Sequence, residues 1–448
     1  MMLWMKFAGW KRSNQGTRAR PNHCLHLPVA LIGALLVFPA ATWAQVSYVA
    51  RFTLEKQTFL LGEPIFCTFT IQNTGSQIFA FSYRTPSRIL NPELAGEPRF
   101  SVRDENRHPV PDPAPQPCGG AKGSAVYGSV TLPPGQVHTE RWLVNQWARF
   151  SRPGRYRLRA ERRLPLGGIN AATQEFSRQP VAYALAVNEF SFAVTPATES
   201  QLQAVFRPYE SVLEKLEATN VAEAVLAITT LPQPFLLPRL VALADAPAAE
   251  RGWDRQQALE GLARLGSRAA WEEIVKVARG GERPGPSARR APPSADDSLR
   301  AYAVLLLGEK GDPAFLPPLL ALLSTAPETL RGDVIRALGF FKDPRANQTL
   351  FERLRSRVTN DRVNAVLGLR NLESKDSIPA LIAMLSDMDS RVRQVAHFAL
   401  QSLTGEEIKL SSGASAAECR RVAEQWHAWW RQHGASFVPV RAAPCQDW

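Results

Sequence analysis

From residue 299 onward the chain repeats itself at a displacement of 31 residues. Arg300, Arg331, Arg362 and Arg393 fall in one column of this frame, and Leu307, Leu338, Leu369 and Leu400 in another. Ala303, Val334, Ala365 and Ala396 share the register, as do Leu319, Leu350 and Leu381, and Leu323, Leu354 and Leu385. A period of this length with so many agreeing columns marks a stack of like supersecondary units and excludes most other folds. Upstream, Ala258, Leu262 and Ile274 match Ala303, Leu307 and Leu319 at a shift of 45, which is the 31-residue period plus a Pro/Arg-rich insertion, "GGERPGPSARRAPPSADDS". Ala224, Ile228 and Leu240 lie 34 residues before that set. About six units are therefore expected between residues 206 and 433, the last one irregular, with a disordered loop near 280–298.

Inside a unit the apolar residues have helical spacing. Leu299, Tyr302, Leu306 and Leu307 line one helix, and Leu316, Leu319, Leu320 and Leu323 line the next. Neither stripe can be buried by its own helix pair, so neighbouring pairs must stack into a right-handed α-solenoid. The segment "LLLGEKGDP", Leu305 to Pro313, has two glycines and a lysine between apolar runs, but a phosphate loop needs GxxxxGK[ST] between a strand and a helix. Here the spacing fails, and the turn recurs one unit later as "GFFKDP". In this reading Gly308 and Gly339 end the first helices, and Asp312-Pro313 and Asp343-Pro344 start the second ones.

Two-helix units of this length, with Arg in the first helix and a "GDP"-like turn, resemble the HEAT-like repeat family over about half of the chain. "ALQSLTGEE" followed by "AEQWHAWWRQHG" resembles the end of many bacterial HEAT-repeat proteins. On a helix, Cys419, Val422, Ala423, Trp426 and Trp430 share a face, placed to seal the end of the array.

The first 44 residues have the layout of a secretory signal peptide. Lys6, Lys11, Arg12, Arg18 and Arg20 make a basic start without acids, Leu27 to Phe38 is apolar, and Thr42-Trp43-Ala44 offers a cleavage site before Gln45. An uncleaved anchor is the alternative. The apolar run is shorter than the roughly 20 residues a membrane span needs. Cleavage removes five of the 53 Lys and Arg, leaving 48 against 41 acids, so the formal charge drops from +12 to +7. That balance favours solubility and does not call for nucleic acid. Four cysteines remain, Cys67, Cys118, Cys419 and Cys445, an even number suited to an oxidising compartment. Of three possible pairings the simplest joins Cys67 to Cys118 and Cys419 to Cys445.

Between residues 45 and 198 the pattern changes to period two. "IFCTFTIQNTG" puts Ile65, Cys67, Phe69 and Ile71 on one face and ends in a turn. "VTLPPGQVHTERWLV" and "RPGRYRLRAE" repeat strand and turn, and "YALAVNEFSFAVTP" closes the region. Several short strands over this length indicate an all-β sandwich. The strand-turn pattern of "LGEPIFCTFTIQNTG" and "LPPG…SRPGRYRLRA" resembles the immunoglobulin-like modules of exported bacterial proteins.

Motifs for chemistry are sparse. His108, His138, His397, His427 and His433 show no HExxH or HxxxH spacing, and CxxC, GxSxG and GxGxxG are absent. Cys118 beside two glycines, with His138 and Asp104 or Asp112, is conceivable as a thiol site, against the plainer reading of a loop disulfide. Stacking would bring Arg300, Arg331, Arg362 and Arg393 into a row, which either binds an anionic partner or pairs with carboxylates such as Asp312 and Asp343.

The chain thus reads as multidomain: signal peptide (1–44), immunoglobulin-like all-β sandwich (45–198), HEAT-like superhelical α-solenoid (206–433) and a tail (434–448). The expected role is a periplasmic or secreted, non-enzymatic adaptor without cofactor or metal, binding a protein partner of the cell envelope through its repeats. Nucleic acid is not an expected partner. Two alternatives stand beside it: a binder of anionic polysaccharide through the arginine row, and, by family resemblance, a bilin-lyase-like enzyme.

Overall fold

The structure, a computed structural model, describes residues 46–84, 96–113, 127–169, 176–215, 220–246, 248–280, 295–411 and 413–440. The expected signal peptide, Cys118, Cys445 and nearly all of the Pro/Arg-rich insertion lie outside the described residues. No helix among the described residues is long and apolar enough to cross a membrane.

Among the described residues nine strands precede the helices: β1 (Tyr48–Leu54), β2 (Thr58–Leu60), β3 (Phe66–Asn73), β4 (Phe79–Arg84), β5 (Arg99–Asp104), β6 (Tyr127–Leu132), β7 (Val137–Leu143), β8 (Gly154–Ile169) and β9 (Phe176–Thr195). One sheet runs β1-β3-β7. The other runs β2-β9-β8-β4-β6, with β5 also paired to β8. All pairings are antiparallel except β2 with β9. Alternation sends Ile65, Cys67, Phe69 and Ile71 inward, and all four are buried. Side chains of both sheets meet in one core: the Phe52 ring lies 5.2 Å from Phe69 in its own sheet and 5.8 Å from Phe100 in the other, centroid to centroid. Edge-to-face and tilted rings at this spacing add to the burial itself.

Thirteen helices follow among the described residues. After α1 (Glu199–Lys215) they pair as first and second helices: α2 (Val221–Thr230) with α3 (Leu237–Ala244), α4 (Ala248–Leu265) with α5 (Arg268–Arg279), α6 (Ala295–Lys310) with α7 (Leu316–Thr325), α8 (Glu328–Leu338) with α9 (Pro344–Arg353), α10 (Thr359–Leu372) with α11 (Ser377–Met384), and α12 (Ser390–Thr404) with α13 (Ala416–His433). Their apolar stripes form one continuous core from Phe206 to Trp426. The array begins earlier than residue 206. Thr198 accepts from the Gln201 N–H at 3.3 Å while Gln201 Oε1 accepts from the Thr198 N–H at 2.8 Å, a reciprocal cap that starts α1. Of the loop expected near 280–298, the last residues form the first turn of α6, where Asp296 and Asp297 sit at the positive end of the helix.

The turns correct one expectation. Gly308 does not end its helix: α6 runs on to Lys310, and Gly311, at φ 62°, takes the left-handed position. Gly339 caps α8 in a right-handed conformation. What these glycines supply is close approach. A Cβ on Gly339 would overlap the Gly368 carbonyl of α10, and one on Gly308 would come 2.9 Å from the Ala337 Cβ of α8. Asp312 and Asp343 do open the second helices, their carboxylates accepting from the Ala314 and Arg345 N–H groups.

The described residues form one compact unit, in which sheet and helices share a small apolar junction. Phe66 of β3 and Leu143 of β7 point away from the β core and pack on Leu226 and Ala227 of α2, with Tyr209 of α1 alongside. Burial pushes the Tyr209 hydroxyl up to about 12.

Replacing Gly339 by alanine is expected to cost about 1–3 kcal/mol, the usual range for overpacking, because rigid backbone stands in the way. A lower midpoint in urea-induced unfolding, followed by helical circular dichroism, checks this.

Candidate functional site

The structure shows what holds each guanidinium of the arginine column. Arg300 donates to the Ala278 and Arg279 carbonyls at the end of α5, at 3.3 and 3.0 Å. Arg393 donates to the Asp387 and Met388 carbonyls after α11. Arg362 donates to the Ser356 carbonyl after α9 and grips Asp387 with two nitrogens at 2.8 and 2.9 Å. Arg331 donates to Asp361 at 3.0 Å. Three of the four thus cap the carbonyl end of the preceding second helix or the turn beyond it, where the helix dipole favours a cation. Arg255, which the shifted frame aligns with Arg300, is a further rung: it donates to the Ala244 carbonyl at 3.0 Å and to Asp296 at 2.5 Å. The carboxylates engaged are Asp296, Asp297, Asp361 and Asp387, not Asp312 or Asp343, which cap helices.

The opposite ridge of the same helices is free of this role. Successive first helices, α6 on α8, α8 on α10 and α10 on α12, pack directly on one another, whereas second helices before α11 approach each other less closely. Such wedge-shaped units curve the array with the first helices on its inner side. Positions two and five residues after each arginine line that side: Tyr302 and Leu305 on α6, Asp333 and Arg336 on α8, Asn364 and Leu367 on α10, Val395 and Phe398 on α12. All are half-buried. Tyr302 donates to Glu260 at 2.6 Å, and burial together with that carboxylate pushes its hydroxyl up. Burial raises Asp333, against the opposing charge of Arg336. The Arg370 guanidinium lies 4.9 Å over the Phe398 ring and donates to Ser402 at 3.0 Å. Of these, Tyr302, Arg336 and Phe398 are residue types enriched at protein interfaces, with Leu305, Leu367 and Val395 beside them and Asp333 and Asn364 among them.

At the far end, α13 buries Cys419, Val422, Ala423 and Trp426 against the last unit. Trp426 Nε1 donates to His397 Nδ1 at 3.4 Å. Burial holds the His397 pKa down. These aromatics close the core.

In the β region the imagined thiol site does not assemble from its described members. Asp104 pairs with Arg152 at 2.8 Å and with His108, while His138 pairs with Glu140 at 3.1 Å. Cys67 and Cys419 are buried, and burial pushes the Cys67 thiol up to about 12; Cys118 and Cys445, the partners proposed for them, lie outside the described residues. His138 and Glu140 belong instead to a buried cation's shell. Arg162, 2 % exposed, donates to the Gly96 carbonyl at 2.6 Å and to Glu140 at 2.9 Å, and its guanidinium lies 4.4 Å over the Phe69 ring. Burial alone would raise Glu140, but the His138 hydrogen bond and the Arg162 charge bring it below its ordinary 4.5. No group of three or more His, Cys, Asp or Glu positioned to hold a metal occurs among the described residues.

Comparison with known families identifies the repeats. Residues 288–362 match the family described as HEAT repeats, and residues 361–387 match the PBS lyase HEAT-like repeat. The array therefore contains HEAT-like repeats over residues 288–387. No curated protein matches the chain. Among solved structures, a β-glucosidase from Listeria innocua in complex with isofagomine is 14% identical over 34% of this chain, at a TM-score of 0.17. The chain covers only 16% of that enzyme. AvmM, described as catalysing macrocyclization in alchivemycin A biosynthesis, is 16% identical over 35% of this chain and 93% of its own length, at a TM-score of 0.15. At these scores neither likeness bears on fold or function.

Two outcomes follow from this geometry. Arg362→Ala leaves Asp387 buried without its partner and is expected to destabilise by about 3 kcal/mol, whereas the exposed Arg345→Ala should change stability by no more than about 0.5 kcal/mol; urea titration of both variants tests the contrast. The second concerns pH. Glu140 is lowered in the folded state, so its contribution is present above its ordinary 4.5 and is lost as pH falls. Thermal unfolding read by tryptophan fluorescence should decline between about pH 5 and 3. Glu140→Gln should start lower at neutral pH and decline less.

Proposed function

We propose that this chain is a non-enzymatic scaffold of the bacterial cell envelope, periplasmic or secreted, that binds a protein partner on the inner face of its HEAT-like array. HEAT repeats commonly mediate protein–protein contact, and the observation that carries the reading is the inner ridge itself. Its half-exposed Leu305 and Leu367, with Tyr302, Arg336 and Phe398 among them, stand apart from the column of Arg300, Arg331, Arg362 and Arg393. The basic and then apolar layout of residues 1–44 supports export. The strand arrangement supports an immunoglobulin-like reading of the β region: β1-β3-β7 against β9-β8-β4 corresponds to strands A, B, E and G, F, C of that sandwich. The arginine row supports polysaccharide binding less, because each guanidinium already has a carbonyl or carboxylate partner.

A second reading rests on the match of residues 361–387 to the PBS lyase HEAT-like repeat, which favours a bilin-lyase-like enzyme. Incubation with free bilin, read as a shift in visible absorption, separates it from the scaffold reading.

The scaffold reading is tested by cross-linking and affinity capture from native envelope extract with the full chain and with Leu367→Arg. One partner held at defined stoichiometry, cross-linked to α8–α12 and lost on Leu367→Arg in a folded protein, is the expected result. Equal capture by both proteins, or capture of nothing, overturns the assignment of the inner face.

A further inference from the structure

The outer face of the six-stranded sheet carries a charge pattern that the scaffold reading does not use. Alternation along β5 and β8 points Arg99, Arg103, Arg155, Arg157, Arg159 and Arg163 outward, and all six are exposed. Two acids share the face, Glu161 and Glu189, and both are taken by Arg159 at 3.3 and 3.2 Å. Arg155 and Arg157 have no carboxylate partner among the described residues. Register sets Arg103 directly opposite Arg157, and like charges so placed across strands oppose pairing. Arg103 donates to the Arg107 carbonyl at 2.8 Å and so steadies the turn after β5, but no hydrogen bond or ion pair among the described residues engages the Arg157 side chain.

Apolar side chains stand on the same face one strand over. Tyr183, Leu185 and Val187 alternate outward on β9, exposed by 46%, 57% and 40%. In register Leu185 lies opposite Arg163, whose guanidinium stacks 4.1 Å over the Tyr183 ring. A lone exposed leucine needs no explanation, but three in a row beside an arginine field form a surface with two chemistries.

We infer that this face docks on a bilayer displaying anionic phospholipid headgroups, with Arg155, Arg157, Arg103 and Arg163 on phosphates and Tyr183, Leu185 and Val187 in the interfacial layer. Arginine forks match phosphate oxygens in two-point contacts. Basic residues beside exposed apolar ones are the composition of peripheral membrane contacts. A soluble polyanion would use the arginines alone. An added peptide strand finds β8 paired with β9 along one side and, on the other, with β5 at residues 156–161 and with β4 at residues 167–168.

The test is sedimentation of the full chain with vesicles of phosphatidylglycerol mixed with phosphatidylcholine, and with pure phosphatidylcholine vesicles. Binding only to the former, weakened by salt, is expected. At about 1 kcal/mol per arginine, replacing Arg155, Arg157 and Arg163 together by Gln should weaken binding on the order of a hundredfold. Leu185→Ser with Val187→Ser should weaken vesicle binding while leaving any binding to poly-glutamate or heparin unchanged. All these positions are exposed, so circular dichroism should report folded variants. Absence of vesicle binding, or equal binding to both vesicle types, overturns the proposal. So does a serine variant that binds vesicles as wild type does while poly-glutamate competes, since the face would then take a soluble acidic partner.

Discussion

A helix pair in this array has more apolar surface than it can hide. Leu307 and Leu319 are fully buried only because the units before and after cover them, so every unit is completed by its neighbours. How close the units come is set by backbone. At the α8–α10 contact, glycine stands on both sides, Gly339 against Gly368, and no side chain keeps the helices apart. Deleting those hydrogens in favour of methyl groups would push on a carbonyl that has nowhere to go, since α10 is itself packed on α12. Curvature follows from the same constraint: first helices drawn together and second helices left wider leave an inner face whose outward ridge is a consequence of the packing.

Close packing buries the ends of the second helices, and their last carbonyls then need donors. Arg255, Arg300, Arg362 and Arg393 provide them, while Arg331 takes the Asp361 carboxylate instead. A guanidinium suits this place because it reaches several acceptors from one position and keeps its charge at the negative end of a helix dipole. Arg362 serves a carbonyl and a carboxylate together, Ser356 in the turn after α9 and Asp387 in the turn after α11. Row and core are thus one device: the apolar columns stack the units, and the arginine column satisfies the polar groups that stacking would otherwise strand.

Much of this was legible in the sequence because repetition turns weak local signals into columns. The helix pairs, their order and the aromatic seal of α13 all follow from spacing. Other features were not legible, for physical reasons. Asp312 and Asp343 were natural partners for the arginines by proximity, but an aspartate before proline at a helix start is used by backbone N–H groups first. Arg255 hid behind the insertion that shifts the frame to 45. Phe66 was masked by the alternation around it: a strand reading assigns one apolar face, and Phe66 lies on the other, where a helix covers it. α1 repeats nothing, and only the reciprocal cap of Thr198 and Gln201 announces it.

The junction between sheet and array shows which force holds the two together. Arg141 of β7 bridges Glu55 and Glu223 of α2, and its guanidinium lies 4.6 Å over Phe66. This has the look of an electrostatic clasp, yet the Glu223 carboxyl is raised, its burial outweighing the attraction of Arg141. A carboxylate raised on folding favours the folded state less as pH climbs through its shifted value, the reverse of Glu140. The ion pair therefore orients the junction more than it strengthens it, and cohesion falls to Phe66, Leu143, Leu226 and Ala227. Such an apolar contact is insensitive to salt, which suits a scaffold whose sheet and inner ridge would have to keep a fixed relation while both are occupied.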